Sequence, residues 1–326
     1  MSYKEECFEV IGSDGLVRRG VVTLPAKPNG IGLLLLPAGL KYHIGPGRLN
    51  VVVARRMAET GCTTLRIDPL GIGESDGRLR NTSTAQLWND IALGSWIADT
   101  VLAARALRTR IPIVQLVVGG LCGGALTGQL TASQHPELFQ GVLSLGTAVT
   151  LPGSDDGQRN EIVPSVARHH VRSYLRKLKS LEAWKRVLRA ESDFQGIYAV
   201  LRAQIRHMVA PRARTIEQSY PNENPHFYPS FARLQAIRMP HLLLFGGSDN
   251  RWLEFQAAIL GPRLADSALG TGYEVRLIED ANHEIFLDTW KELAVQHVQQ
   301  WMQAQFGATR ELTMAATPEP GIEVGY

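Results

Sequence analysis

The chain has 326 residues, 44% hydrophobic and 20% charged, with a formal net charge of +3. This composition fits one large globular core, alone or with an inserted subdomain, and its charge gives no case for nucleic-acid binding. No apolar run approaches the roughly 20 residues of a membrane span, residues 1–6 lack a signal-peptide segment, and Cys7, Cys62 and Cys122 show no metal-ligand spacing. Reduced thiols in a cytoplasm, with no metal and no cofactor, are therefore expected.

In chain order, residues 7–24 read as two strands around the turn Gly12-Ser13-Asp14-Gly15. Residues 31–36 are apolar at nearly every position, as in a strand covered on both faces of a mostly parallel sheet. A helix over 49–59 ends at Gly61, and a strand follows over 63–68. The pattern then predicts one long helix over 86–107, a strand over 113–118 and a helix over 124–135. A further strand is expected over 141–145. Strand and helix alternate, which predicts an α/β class with a doubly wound sheet.

The alternation stops at about residue 151. Val171, Tyr174, Leu175 and Leu178, then Leu181, Trp184 and Leu188, then Phe194, Ile197, Tyr198, Leu201 and Ile205 recur at helical spacing. Ser192 with Gln195 forms a capping-box pattern at the start of the last of these helices. Strand pattern returns over 241–245 and 273–278. The expected organisation is a core of residues 1–150 and 237–307, a helical lid insertion over 151–236 and a mobile tail over 308–326.

Chemistry concentrates at Gly120-Leu121-Cys122-Gly123-Gly124, between a buried strand and a helix. A Gly-x-nucleophile-x-Gly turn there is tight enough to require small neighbours, Gly120 and Gly124, and it projects the nucleophile above the sheet. The N–H of Gly123, at a helix N-terminus, favours a thiolate. The alternative is a glycine-rich packing turn with a buried structural cysteine. Two downstream residues bear on the choice. Asp249 follows the strand at 241–245 and His283 follows the strand at 273–278, in the order nucleophile, acid, histidine. Both sit just past strand carboxyl ends, where sites gather in open α/β sheets. Asp155 and Asp156 are fallback acids, while His241 and His297 read as structural.

On these residues the chain resembles the α/β-hydrolase superfamily over about 5–306. The segment Asp68-Pro69-Leu70-Gly71-Ile72-Gly73-Glu74-Ser75 is similar to that superfamily's Gly-x-Gly-x-Ser segment, and no catalytic role is assigned to it. Pro37-Ala38-Gly39-Leu40 stands in the place of the family's His-Gly-x loop, with Ala38 where His is common. The resemblance implies an oxyanion hole formed by the backbone N–H groups of Gly123 and Leu40. Dienelactone hydrolases and polyester synthases share the fold with an elbow cysteine, and the match to either is limited to elbow and triad. Residues 44–49, the elbow and Tyr174-Leu175-Arg176 also resemble a bacterial hydrolase-like subgroup found near exopolysaccharide or secondary-metabolite pathways.

A thiolate nucleophile with His283 as base and Asp249 as orienting acid implies a thioester acyl-enzyme. Activated esters, lactones and acyl thioesters are the matching substrates, and unactivated amides are not. The stretch 159–189 is basic, carrying Arg168, Arg172, Arg176, Lys177, Lys179, Lys185, Arg186 and Arg189. It is either a solvated helix face or a docking surface for an acyl carrier protein or coenzyme A. A rival of another class stays open: a non-catalytic binding or assembly protein that keeps the elbow as architecture.

Overall fold

The computed structural model describes residues 3–79, 83–151, 222–259 and 272–307. Within these, the strands in chain order are β1 (Tyr3–Ile11), β2 (Val17–Pro25), β3 (Ile31–Leu36) and β4 (Thr63–Ile67). They are followed by β5 (Gln115–Leu121), β6 (Gly141–Leu145), β7 (His241–Gly246) and β8 (Tyr273–Ile278). All join one sheet in the order β1-β2-β4-β3-β5-β6-β7-β8. β1 and β2 form a hairpin, β2 also pairs antiparallel with β4, and every pairing from β4 through β8 is parallel.

Every residue of β3, β4, β6 and β7 is buried. The period-2 alternation of a strand sends Leu33 and Leu35 to one face and Leu34 and Leu36 to the other. On the first face they meet α1 (Leu49–Glu59) and the C-terminal helix Asp288–Phe306, through Leu49, Val53, Met57, Val295, Val298 and Trp301. On the second they meet α3 (Ile97–Arg110) and α4 (Gly123–Gln134), through Ala103, Ala104, Leu107 and Ala132. Burying a branched or aromatic side chain contributes about 1.5–3 kcal/mol, so a sheet covered on both sides is the stable arrangement for strands this apolar.

The expected single helix over 86–107 is two helices, α2 (Thr84–Ala92) and α3. Ser83 caps α2 by accepting from the Gln86 N–H at 3.3 Å. Gly94, at φ 99°, ends it in the left-handed region that favours glycine, and its N–H donates to the Ile91 carbonyl. β5 also runs further than expected, to Leu121, because Gly119 and Gly120 stay in register with Leu35 and Leu36 on β3 and with Leu143 and Ser144 on β6.

Within the stretch assigned to the lid, the described residues are Leu151 and 222–236, where α5 (Phe227–Ala236) lies on the core. Its Phe227 and Phe231 pack with Leu126 and Leu130 of α4 and with Leu243 and Phe245 of β7. The helical positions from Val171 to Ile205, the basic run, Asp155 and Asp156, and the tail over 308–326 lie outside the described residues. No described helix is long and apolar enough to cross a membrane. After β7 come α6 (Asn250–Ile259), then β8 and α7 (Asp288–Phe306). The carboxyl ends of β5, β6, β7 and β8 therefore share one edge of the sheet, and the loops that leave them meet there.

Candidate active site

Cys122 is the hinge between β5 and α4, at φ 55° and ψ −111°. A positive φ in a residue with a Cβ costs about 1–3 kcal/mol and persists only when its surroundings dictate it. They do so here: the Cys122 N–H donates to the Leu145 carbonyl at 2.8 Å, and the Cys122 carbonyl accepts from the Leu126 N–H at 3.1 Å. The flanking glycines are required by close approach. A Cβ on Gly120 would stand 2.5 Å from the Leu36 carbonyl oxygen, and one on Gly124 would stand 2.7 and 2.8 Å from the carbonyl oxygens of Leu36 and Pro37. Cys122 itself is partly exposed.

His283 sits in the loop after β8, and its Nδ1 donates to Asp249 Oδ2 at 2.8 Å. That leaves the other ring nitrogen for Cys122, whose charge acts on the His283 ring. Asp249, buried in the loop after β7, is held at both ends: its N–H donates to the Gly246 carbonyl at 3.0 Å, and its Oδ1 accepts the Arg251 N–H at 2.9 Å. The histidine loop is tied to the acid loop, the Ser248 N–H donating to the Ala281 carbonyl at 3.0 Å. Gly146, after β6, forms the floor beneath both, since a Cβ there would lie 3.1 Å from the His283 ring and 3.2 Å from Asp249 Oδ2. The structure thus brings Cys122, His283 and Asp249 together, and Asp155 and Asp156 lie outside the described residues.

The electrostatics follow from that geometry. Burial pushes the Cys122 thiol up, but the hydrogen bond and charge of His283, then the charge of Arg251 and the Gly123 N–H, outweigh it and bring the thiol below its ordinary range. For His283, burial pulls downward, and the bonds and charges of Asp249 and Cys122 raise it well above an ordinary imidazole. Both shifts favour the same species, a thiolate beside an imidazolium.

The loop after β3 lies against the elbow. A Cβ on Gly123 would be 3.0 Å from the Gly39 nitrogen, and Gly39, at φ 57°, lies under the Trp88 indole of α2, which any side chain there would strike. Leu40 packs on Ile72, Ile91 and Trp96. The Gly-x-Gly-x-Ser segment is structural in its contacts: the buried Asp68 accepts from the N–H of His43 at 2.5 Å and pairs with its Nδ1 at 2.8 Å. His241 lies at the amino end of β7, away from the site, bonded to Ser144 Oγ at 2.9 Å and pushed down by burial to about 3. His297 contributes its carbonyl to Arg276 at 3.0 Å, on α7.

Two residues beside Cys122, His283 and Asp249 were not singled out from sequence. Gly146 carries no motif. Arg251 stands two positions after the acid, but only packing reveals where its guanidinium goes.

No protein-family model and no curated protein matches the sequence. Solved structures do match in shape. Est1E of Butyrivibrio proteoclasticus, solved with ferulic acid bound, has a TM-score of 0.53 and 16% identity over 91% of this chain and 99% of its own. The α/β hydrolase GrgF of Penicillium sp. sh18 has a TM-score of 0.55 and 15% identity, over 93% and 99%. A dienelactone hydrolase of Anabaena variabilis ATCC 29413 has a TM-score of 0.52 and 14% identity, also over 93% and 99%. With a mostly parallel sheet covered by helices on both faces, the chain has the α/β-hydrolase fold.

Proposed function

We propose that the protein is an acyl-transfer enzyme in which Cys122 is the nucleophile, His283 the base and Asp249 the acid that orients it. One observation carries this: a cysteine held at positive φ on a strand-to-helix turn, its thiol brought down by a histidine whose Nδ1 donates to a buried carboxylate at 2.8 Å. A glycine-rich packing turn needs neither the histidine nor its carboxylate. Matching solved structures include an esterase and a dienelactone hydrolase, which is consistent with ester-type substrates.

In this mechanism the Cys122 thiolate attacks the acyl carbon. The carbonyl oxygen takes the charge and accepts hydrogen bonds from the N–H groups of Gly123 and Leu40. Collapse breaks the bond to the leaving group, which takes the proton held on His283, and leaves a thioester on Cys122. Neutral His283 then removes a proton from water or another acceptor, whose attack on the thioester releases the acyl product and restores the ion pair. Exchange of an acyl group between thiols is nearly thermoneutral, so thioesters suit this site, as do activated esters and lactones.

Iodoacetamide labelling at pH 6, read by peptide mass, tests the nucleophile. Cys122 is expected to alkylate at least about tenfold faster than the exposed Cys7, because the ion pair supplies thiolate below the ordinary thiol range. Cys62, buried and pushed up to about 12, should not react. Equal rates at Cys122 and Cys7 would favour a binding scaffold.

For the basic run we propose docking of a carrier-bound or coenzyme-A-bound acyl donor. Reversal of Arg172, Arg176 and Lys179 to Glu should lower the second-order rate constant with a carrier-bound donor, more at low salt than at moderate salt. The rate with a small neutral ester should hold. A carrier rate that also holds would return the run to a solvated face.

A further inference from the structure

The loop that leaves β3 carries Leu40, and its near end lies on the elbow. A Cβ on Gly124 would stand 2.8 Å from the Pro37 carbonyl oxygen, and one on Gly123 would stand 3.0 Å from the Gly39 nitrogen. The turn at the tip is closed by the Lys41 N–H, which donates to the Ala38 carbonyl at 3.3 Å. Gly39 and Leu40 are its two central residues, so their own N–H groups are not spent in closing it. Among the described residues neither donates to a backbone carbonyl. A donor in such a turn is only as well placed as the turn itself, and a displacement of about 1 Å can cost about a hundredfold in rate.

One buried carboxylate grips the far side of this loop. Asp68, the residue after β4, accepts the His43 backbone N–H on Oδ1 at 2.5 Å and meets the His43 ring Nδ1 with Oδ2 at 2.8 Å. Both oxygens thus close on one residue, and both side chains are buried. Asp68 is itself fixed: its N–H donates to the Arg19 carbonyl at 2.9 Å, and its carbonyl accepts the Ser75 hydroxyl at 2.7 Å. Gly73 folds over the pair, where a Cβ would strike Asp68 Oδ2 and stand 2.9 Å from the Tyr42 Cβ. The stems are tied to α1: the Asn50 N–H donates to the Ile44 carbonyl at 3.1 Å, and Asn50 Nδ2 donates to the Leu36 carbonyl at 3.3 Å. None of these contacts involves Cys122, His283 or Asp249.

We propose that Asp68 and His43 are positioning residues for acyl transfer: the buried pair sets the loop that presents the Leu40 N–H at the elbow. The role rests on the reading of Cys122 as nucleophile, and it separates two reactions of the same sulfur. Attack on an acyl carbon turns the carbonyl oxygen into an oxyanion that needs placed donors. Alkylation by iodoacetamide forms a bond from sulfur to a saturated carbon as iodide leaves, and puts no charge on oxygen. The clamp therefore acts on the first reaction and not on the second.

Both reactions are measured on the full chain. Acylation is followed with p-nitrophenyl acetate, the Cys122 thiolate forming a thioester as p-nitrophenolate leaves. Alkylation by iodoacetamide is read at the Cys122 peptide by mass. Wild type, Asp68→Ala, Asp68→Asn and His43→Ala are compared, with thermal melting to check folding. Asp68→Ala removes both acceptors and should slow acylation about a hundredfold while alkylation stays within about twofold. Asp68→Asn keeps an oxygen for the His43 N–H and turns an amide to a ring nitrogen that can accept, so most of the rate should return. His43→Ala keeps the backbone bond but loses the ring bond, and should cost about tenfold in acylation alone. An unchanged acylation rate in folded Asp68→Ala, or in His43→Ala where the first does not fold, overturns the proposal. So does an equal fall in both reactions, the pattern of a site disordered as a whole. If wild-type Cys122 is neither acylated nor alkylated faster than Cys7, it is the nucleophile assignment that fails. Should wild type be acylated and every folded variant match it, only the clamp fails.

Discussion

Replacing Cys122 by alanine is expected to abolish measurable turnover while leaving the fold in place. In the proposed mechanism the sulfur forms the acyl bond, and no other described thiol can replace it: Cys62 is buried elsewhere and Cys7 lies on the edge strand β1. What survives is the environment. The N–H groups at the elbow and the His283–Asp249 pair remain, and such residual machinery gives only a small fraction of normal catalysis. The fold should survive because alanine keeps the Cβ that the backbone at φ 55° already accommodates, and only one atom is lost. The stability cost is therefore about 1 kcal/mol or less. Steady-state kinetics and thermal melting check both halves. A serine variant should also be poor. A hydroxyl is far less acidic than a thiol, so serine cannot form the ion pair to which the site is tuned. Full activity in Cys122→Ser would remove the thiolate from the mechanism, and full activity in Cys122→Ala would remove the residue.

Much of this arrangement is legible in the sequence because it depends on patterns that repeat locally. The all-apolar run at 31–36 can only be a doubly covered strand, and the glycines around Cys122 are there because the carbonyls of Leu36 and Pro37 leave no room for a Cβ. Asp249 and His283 are readable as residues that follow strands. Their meeting is a consequence of strand order, since β7 and β8 must lie beside β6 and in parallel for the two loops to touch. The break between α2 and α3 was less legible. Apolar spacing runs on across Leu93 and Trp96, and Gly94 ends the helix only because its N–H finds the Ile91 carbonyl. Least legible were Gly146 and Arg251. A glycine under a histidine ring has no sequence signature, and an arginine near a helix start reads as surface charge until Thr150 and Glu254 are seen to hold it.

The replacement of Asp249 by asparagine should cost about 10⁴ in kcat/KM, the magnitude that follows when a triad acid becomes an amide. The direction is set by hydrogen-bond polarity. In the native site Oδ1 accepts the Arg251 N–H at 2.9 Å, and Oδ2 accepts the His283 Nδ1 proton at 2.8 Å. An amide can supply only one oxygen. The backbone N–H of Arg251 is fixed and can only donate, so the oxygen stays there and the NH₂ group turns to His283. Nδ1 must then accept, the ring proton moves to Nε2, and the nitrogen facing Cys122 can no longer take the proton from the thiol. The negative charge that supports an imidazolium is lost as well, so the thiolate loses its partner. Asp249→Asn should therefore both slow turnover and move Cys122 alkylation towards the pH range of an ordinary thiol, with little change in melting temperature because the carboxamide fills the same space. Asp155 and Asp156 provide the contrast. If either costs more than about tenfold while Asp249→Asn costs less, the orienting acid lies on the segment after β6, and the 2.8 Å contact is only a structural tie.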